Sequence, residues 1–342
     1  MATSTGSGEG VGRAGRAKRP TATDVARRAG VSQATVSYVL NNNPRQAIPE
    51  TTRQRVLTAA DELGYTPSAA ARMLVSGRSD VVVMLLPDWP IGLGVASLLD
   101  ELSQAFARHD LTFVIHPQVR DRPITELWKS VTPAAVLAYD TFSDADRTAI
   151  QRSGAELVLI SGVDGGDFES SIALTGRLQV EHLAAAGHRR LGYAWPDDDR
   201  VLFFAEHRLD GVRAACADRG LPPPRVVTVP LTAEGAAEAI GAWRAGPSAP
   251  TAICAFNDEV ALALLAGAQR CGIAVPDDLA VIGVDDLPLA ALITPALTTI
   301  ARDTAAGALD IVDAVVAQLD GRTPARPGSA SDGQVVIVRD SA

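Results

Sequence analysis

Hydrophobic positions follow two regimes along the chain. Up to about residue 65 they repeat at helical spacing in three short bursts. Val25, Ala26 and Ala29 share one face of a helix predicted over 23–29, and Gly30 supplies a turn. Ser32 is a good N-cap for a second helix over 33–40, whose Val36, Val39 and Leu40 face inward. The run Asn41 to Pro44 ends it, and a third helix follows Pro49, with Val56, Ala60 and Leu63 at i, i+4, i+7 and Gly64 as its stop. Residues 68–75, after Pro67, form a short Ala-rich segment, a marginal helix by itself because fewer than about 12 residues rarely hold one in water.

After Gly77 the pattern changes to apolar strand-like runs alternating with amphipathic helices. The runs are 81–86, 111–116, 134–139, 157–161, 190–194, 226–229, 252–256, 280–284 and 335–338. Helices are predicted between most of them, over 95–108, 178–186, 208–219, 233–244, 258–271 and 304–319. Continuous apolar strands separated by helices mean parallel sheets covered on both faces. Nine strands are too many for one small doubly wound sheet and point to two lobes.

Composition narrows the class. Of 342 residues, 47% are hydrophobic, a globular proportion. No apolar run reaches the roughly 18 residues a membrane helix needs, and Met1 to Gly12 lacks the apolar stretch of a signal peptide. Cys216, Cys254 and Cys271 are scattered, which suits a reducing cytoplasm and no disulfide framework or metal site. The net charge of −9 is unevenly spread. Residues 1–78 hold eleven Arg/Lys against five Asp/Glu, a balance of +6 that leaves −15 for the remainder. A basic head on an acidic body fits a nucleic-acid module joined to one that does not touch nucleic acid. Residues 1–19 read as a disordered basic tail, whose Arg13, Arg16, Lys18 and Arg19 add non-specific phosphate attraction.

The stretch Thr23 to Asn41 has the physics of a helix-turn-helix. One helix ends at a Gly turn, and the next presents Gln33, Ala34, Thr35 and Ser37 in its N-terminal half. That half enters the major groove, where Gln pairs with adenine and a small apolar group meets a thymine methyl. Helix N-termini and Ser/Thr hydroxyls also bind phosphate.

This run closely resembles the headpiece of the LacI/GalR repressors. The resemblance extends through Gly64 to Leu74, similar to that family's hinge. It continues in Gly187-His188-Arg189, in His207 to Gly211, in Phe256-Asn257-Asp258, in Val281 to Asp286 and in Leu297 to Ile300. It implies a homodimer in which each headpiece reads one half-site of a near-palindromic operator on double-stranded DNA. DNA contacts are expected from Thr23, Ser32, Gln33, Ala34, Thr35, Ser37, Tyr38 and Asn41. The hinge is expected to fold on DNA, with Ala71 and Arg72 facing the minor groove and Leu74 wedged between base pairs. Tyr38 departs from the family, which commonly has an arginine there; Tyr cannot make the bidentate guanine contact, so the operator is expected to differ at that step.

In doubly wound sheets, ligands sit off the carboxyl ends of the strands. Those ends offer Asp88, Trp89, Asp140, Trp195, Asn257 and Asp285. Carboxylates, an amide and aromatic rings suit a polyhydroxylated ligand with rings stacked on its apolar face. The resemblance adds Arg208 and implies that Arg208, Asn257 and Asp285 contact a small-molecule effector, a sugar or related metabolite. As helix caps and turns, Asn257-Asp258 and Asp285-Asp286 also have a purely structural reading. A second departure lies at Ser170 to Thr175, where many relatives carry an acidic or Asn residue shortly before the helix of Glu181, His182 and Leu183. A polar ligand contact is thereby lost, and Trp89 with Phe203-Phe204 suits a flatter, less polar molecule equally. His188 sits at a helix-to-strand turn and is expected to be structural.

Rival classes fare worse. An exported solute-binding protein shares the two-lobed core but needs a signal peptide and no headpiece. Gly92-Leu93-Gly94 follows a strand, but the third glycine of a dinucleotide loop is missing. No catalytic residues, cofactor or metal are expected. The chain therefore reads as an all-α helix-turn-helix headpiece plus an α/β two-lobed, periplasmic-binding-protein-like core with parallel sheets. Its expected divisions are tail 1–19, headpiece 20–65, hinge 66–77 and effector-binding, dimerising core 78–342. Its expected role is that of a cytoplasmic transcriptional repressor. Tetramerisation is not expected, since Arg339 to Ala342 after the last strand cannot hold a leucine heptad; the helices 95–108 and 258–271 are the candidate dimer faces.

Overall fold

The computed structural model describes residues 20–40, 47–66, 79–118, 124–139, 143–160, 168–246, 248–323 and 333–342. The chain divides into two units, 1–79 and 80–342.

The first unit holds α1 (Ala22–Ala29), α2 (Gln33–Leu40) and α3 (Glu50–Leu63), where the periodicity places helices. Thr21 starts α1 with a reciprocal capping box. Its hydroxyl accepts from the Asp24 N–H, and the Asp24 carboxylate accepts from the Thr21 N–H at 3.0 Å. Gly30, at φ 66°, ends the helix in a left-handed turn that a side chain would resist. The Ser32 hydroxyl then accepts from the Thr35 N–H at 3.1 Å and opens α2. Val25, Val36 and Val56, one from each helix, are completely buried against one another's neighbours. That apolar knot fixes the three axes. The surface pair Arg28–Glu62 between α1 and α3 (2.8 Å) adds at most about 1 kcal/mol, being exposed. The expected hinge, 66–77, lies outside the described residues from 67 onward.

The second unit runs β1 (Val81–Leu86), α4 (Leu93–Ala107), β2 (Thr112–Pro117), β3 (Ala135–Ala138), α5 (Asp144–Arg152), β4 (Glu156–Leu159), α6 (Phe168–Ala185), β5 (Leu191–Pro196), α7 (Leu202–Asp218), β6 (Arg225–Val229), α8 (Ala233–Arg244), β7 (Ala252–Ala255), α9 (Asp258–Arg270), β8 (Ala280–Val284), β9 (Thr298–Arg302), α10 (Thr304–Leu319) and β10 (Gln334–Ile337). Two sheets result. The first lobe has the order β2-β1-β3-β4, all parallel, and the second β10-β9-β8-β7-β5-β6. Val82 to Leu86 of β1 are all buried, as a strand covered on both faces requires.

Four features differ from the sequence expectation. Among the described residues ten strands form rather than nine, because β9 hides in Leu297-Thr298-Thr299-Ile300. Its threonines break the apolar run, yet both are fully buried, each hydroxyl donating to an internal acceptor: Thr299 to Asp258 (2.5 Å) and Thr298 to the Ala342 carbonyl (3.2 Å). The second sheet is mixed, since β10 pairs antiparallel with β9 at its edge. Helix α6 starts at Phe168, ten residues before the predicted 178. Its buried face there is polar: Ser171, Thr175 and Gln179 stand one turn apart and are all buried, so the apolar period is masked. Finally, α10 returns to the first lobe, where Ala308, Ile311, Val312 and Val315 pack with Val82, Met84, Leu102 and Phe106. The lobes therefore interweave. Among the described residues no helix is long and apolar enough to cross a membrane.

The last residues are stitched into the second sheet. The Ser341 hydroxyl donates to the Val281 carbonyl (2.6 Å) and accepts from the Thr298 N–H (2.9 Å), with Ser341 wholly buried. Arg339 donates to the Leu297 carbonyl (2.8 Å) and to Asp286 (2.7 Å). Removing a buried hydroxyl leaves both partners unsatisfied, at a cost of about 1–3 kcal/mol. Ser341→Ala is accordingly expected to lower the unfolding free energy of the core by that amount, read as a lower urea midpoint at unchanged slope. An unchanged midpoint would show that the C-terminal stitch contributes nothing to stability.

Candidate functional site

In the first unit, α2 offers its N-terminal half to solvent. Ser32, Gln33 and Ala34 are exposed and Thr35, Ser37 and Tyr38 half-buried, with Thr23 exposed on α1. No acidic residue sits in the first turn of α2, so the helix itself supplies no anion to its positive dipole end. Ser32 also holds the Thr35 hydroxyl at 2.9 Å, making it a cap as well as a surface group. Asn41, Ala71, Arg72 and Leu74 lie outside the described residues.

In the second unit, the carboxyl ends of β7 and β8 converge with α7. Arg208 is 5% exposed. One Nη donates to the Phe256 carbonyl at 2.5 Å, the guanidinium carbon lies 4.7 Å over the Phe256 ring, and the other Nη stands 3.6 Å from an Asp285 oxygen. Among the described residues its Nε is buried without a hydrogen-bond partner. Asp285 has φ 105° and Asp286 φ 48°, a strained left-handed pair that turns the Asp285 carboxyl toward Arg208. Burial pushes the Asp285 carboxyl upward, and the Arg208 and Arg302 charges pull it back. Asn257 accepts from the Val260 N–H at 3.0 Å and caps α9, so its oxygen serves the helix. Asp286 is held by Arg339.

Two features behind this cluster escaped the sequence reading. Asp258 is fully buried, its carboxylate accepting from the Thr299 hydroxyl (2.5 Å) and the Leu287 N–H (2.8 Å). Gly283 makes room for it, since a methyl there would overlap the carboxylate. Burial pushes the Asp258 carboxyl up to about 7, against the pull of its Thr299 and Leu287 hydrogen bonds and with a smaller upward push from Asp285 and Asp286. The other feature is the crossing of α6 and α7. A methyl on Gly176 would strike the carbonyl of Arg208, and one on Gly211 the carbonyl of Ala173. Only two glycines let these backbones approach so closely, and the approach sets the height of Arg208. The Ser170-to-Thr175 stretch belongs to this helix rather than to a loop before it: Thr175 donates to Gln334 (2.8 Å), which donates to the Ser171 carbonyl (2.8 Å).

The first lobe contributes aromatic rings. Trp89, after β1, lies 4.4 Å from Tyr139, after β3, and 4.8 Å from Phe204 of α7, centroid to centroid. Phe204 is one turn from Arg208 along α7, so rings from both lobes meet one helical turn from that residue. A methyl on Gly94 would come within 3.7 Å of the Asp285 carboxyl. Asp88 is exposed and, with Trp89, Ile91 and Pro117, lines a recess of about 300 Å³. Trp195 is not brought to this cluster. It lines a different recess of about 580 Å³ with Glu206, Asp210, Arg213 and Thr228. Asp140 lies outside the described residues. His188 bonds Thr251 through Nδ1 (2.9 Å), and its N–H closes the end of α6 on the Leu183 carbonyl (3.0 Å); burial lowers its pKa. Among the described residues no group of His, Cys, Asp or Glu could hold a metal.

Comparison with known proteins decides the family. Residues 21–68 match the bacterial regulatory proteins of the lacI family, and residues 180–342 match a periplasmic binding protein-like domain. The chain is 30% identical over 311 residues to the HTH-type transcriptional regulator GalR of Escherichia coli, covering 87% of this chain and 89% of that protein. The chain belongs to the LacI family. As a LacI-family protein it is a DNA-binding transcriptional regulator. It is also 27% identical over 291 residues to catabolite control protein A of Priestia megaterium, covering 82% of this chain and 86% of the relative. The fold matches the lac repressor dimer bound to operator and the anti-inducer ONPF, with a TM-score of 0.72 at 21% identity over 95% of this chain and 99% of that one. A CelR–cellobiose complex matches with a TM-score of 0.62 at 25% identity, over 95% and 100% of the two chains.

Overpacking a tight helix crossing costs about 1–3 kcal/mol. Gly211→Ala is therefore expected to destabilise the core by about that much in urea unfolding, while an alanine at the solvent-facing Gly241 of α8 leaves stability within about 0.5 kcal/mol. Equal effects at both sites would refute the close-approach argument.

A carboxyl whose folded pKa lies above its unfolded value binds more protons in the native state, so stability falls as pH rises between the two. For Asp258 that window runs from 3.8 to about 7. Between about pH 5 and pH 8 the core is expected to lose on the order of 2 kcal/mol through this group. Asp258→Asn, whose amide can donate to the Thr299 oxygen, is expected to flatten that slope in urea titrations at the two pH values. An unaltered slope would mean that Asp258 does not titrate there.

Proposed function

We propose that the chain is a repressor that binds its operator as a homodimer and changes its DNA affinity when a small metabolite enters the cleft between the core lobes. The observation that carries the cleft reading is the buried Arg208. It is held by Phe256 and Asp285 of one lobe and stands one helical turn from Phe204, which meets Trp89 of the other. A ligand there touches both lobes at once and so has a different affinity for their open and closed arrangements, as any switch requires. Arg208 and Asp285 are its polar contacts in this reading, with Trp89 and Asp88 at the first-lobe wall. Asn257 acts chiefly as the cap that fixes the cleft rim, and Asp140 contributes from the end of β3.

In the headpiece, Gln33, Ala34 and Ser37 read base edges, and Thr23, Ser32, Thr35, Tyr38 and Asn41 approach phosphates or flanking bases. The divisions at 20, 66 and 78 separate headpiece, hinge and core. Ala71 and Arg72 face the minor groove, and Leu74 wedges into it. A single headpiece covers only a half-site, which supports the dimer. The proposed dimer faces are the outer sides of α4 and α9. Much of their apolar composition already serves their own core, through Leu102, Ala105 and Phe106 of α4 and Val260, Ala261 and Leu264 of α9. The reading places the protein in the cytoplasm with DNA and gives it no catalytic step.

Footprinting with purified protein on its own upstream region is expected to reveal one protected site of two-fold symmetry. Gln33→Ala should weaken that complex about tenfold, the loss of one base contact worth about 1–3 kcal/mol. Protection of one half-site alone, or a Gln33→Ala protein with full affinity, would contradict this reading.

A further inference from the structure

Asn257 already caps α9 by accepting from the Val260 N–H, so the helix end does not need the next residue as a cap. Asp258 is nevertheless a wholly buried carboxyl, and burial pushes it up to about 7 against the two hydrogen bonds that favour its charge. A group of that kind takes stability away as pH rises toward neutral. Apolar groups of the same shape can replace such hydrogen-bonded partners with little or no loss. The carboxyl is therefore explained by what it holds.

What it holds is the turn after β8. The three amides of that turn end on β9 and on Asp258. The Asp285 N–H donates to the Ile300 carbonyl (2.8 Å), the Asp286 N–H to the Thr299 hydroxyl oxygen (3.4 Å) and the Leu287 N–H to one Asp258 oxygen (2.8 Å). Thr299 donates its own hydroxyl hydrogen to the other Asp258 oxygen (2.5 Å). Two of the three amides are thus tied to one carboxyl, directly or through Thr299, and Gly283 leaves room for it. Between these ties Asp285 and Asp286 stand at φ 105° and 48°, a conformation that residues with a Cβ avoid unless their neighbours impose it. It puts an Asp285 oxygen 3.6 Å from the Arg208 guanidinium, while Arg339 takes Asp286 at 2.7 Å. Arg302 is the other charge that acts on Asp285.

We infer that Asp258 is a positioning residue of the effector cleft: through Leu287 and Thr299 it fixes the left-handed turn that sets the Asp285 carboxyl against Arg208. It touches no ligand itself, being wholly buried. Its functional meaning rests on the reading of Arg208 and Asp285 as effector contacts given above.

A double-mutant cycle on the full chain in urea needs no ligand. All four tryptophans lie within residues 80–342, so their fluorescence follows the core alone. At pH 6 the Asp258 carboxyl is mostly protonated, which keeps its charge out of the comparison. Asp285→Asn weakens the Arg208 pair in each background. Its effect on the unfolding equilibrium constant is expected to be about tenfold smaller in Asp258→Ala than in the unsubstituted chain, a coupling of about 1.4 kcal/mol. In Asp258→Asn, whose amide still accepts from Leu287 and donates to Thr299, the effect should stay within about twofold of the unsubstituted chain. Hydrogen exchange at the Asp286 and Leu287 amides should quicken about tenfold or more in Asp258→Ala, while α8, on which none of these bonds falls, keeps its protection. If Asp258→Ala does not fold, Thr299→Val, which cuts the link to Asp286, takes its place in both measurements. Additive effects overturn the inference, because a residue that only fills the core contributes the same whatever stands at position 285. So does exchange that rises equally in α8, or an asparagine variant that couples as strongly as the alanine one. With no ligand in the cycle, each of these failures removes Asp258 from the mechanism and leaves the cleft reading standing.

Discussion

The place where α6 and α7 cross is the constraint on which most of the core depends. Gly176 and Gly211 let two backbones touch where any side chain would force them apart. From that contact α7 delivers Phe204 and Arg208 to the strand ends at a fixed height. On the other side α6 delivers Gln179, whose amide donates to the Ala255 carbonyl at 2.8 Å and reaches the Ile282 and Gly283 carbonyls at 3.3 Å. These carbonyls belong to the ends of β7 and β8, which part company beyond Cys254 and Ile282. One helix pair therefore both splays the sheet at its carboxyl edge and places a cation in the resulting gap.

Polar groups as well as apolar ones hold the core around that gap. Asp258 joins α9, β9 and the turn after β8 in one buried carboxylate, and Arg339 joins the chain's last residues to Asp286 in that same turn. Such a network is stringent: satisfied, it rigidifies; with one member missing, it leaves buried groups unpaired. Left-handed Asp285 and Asp286 are kept in place by these neighbours. A strained turn of this kind is affordable only where its surroundings over-determine it.

How legible this was in the sequence varied with the physics of each element. Three headpiece helices and most core strands follow directly from period and caps, because apolar spacing and Gly stops act locally. β9 did not, since a strand of buried threonines is recognisable only when its acceptors, Asp258 and the chain's last residue, are in view. The first ten residues of α6 failed for the same reason: Ser171, Thr175 and Gln179 look like a solvated face and are an internal one. Strand-end reasoning singled out Asp285 and Trp89, and the family resemblance Arg208; the fold sets Asp285 3.6 Å from Arg208 and Trp89 against Phe204, one turn from it. Trp195 shows the limit of strand-end reasoning, because a residue at the end of β5 can also turn its side chain toward a flank of the sheet. Asp258 was read as half of a cap, and nothing local distinguishes a capping aspartate from one that knits three elements together. The glycine pair had no local signal at all, being 35 positions apart and meaningful only together.

The return of α10 to the first lobe has a consequence for synthesis of the chain. The sheet β2-β1-β3-β4 is complete by Leu159, yet the helix bearing Ala308, Ile311, Val312 and Val315, which shields one of its faces, is translated about 150 residues later. While α6 to β9 are being made, Val82, Met84 and Leu137 lack the apolar cover of α10 and pack chiefly with α4 among the described residues. The nascent first lobe must wait through the making of nearly the whole second lobe before its core can close. That interval is when a chaperone, or a neighbouring nascent chain on the same polysome, meets the exposed face.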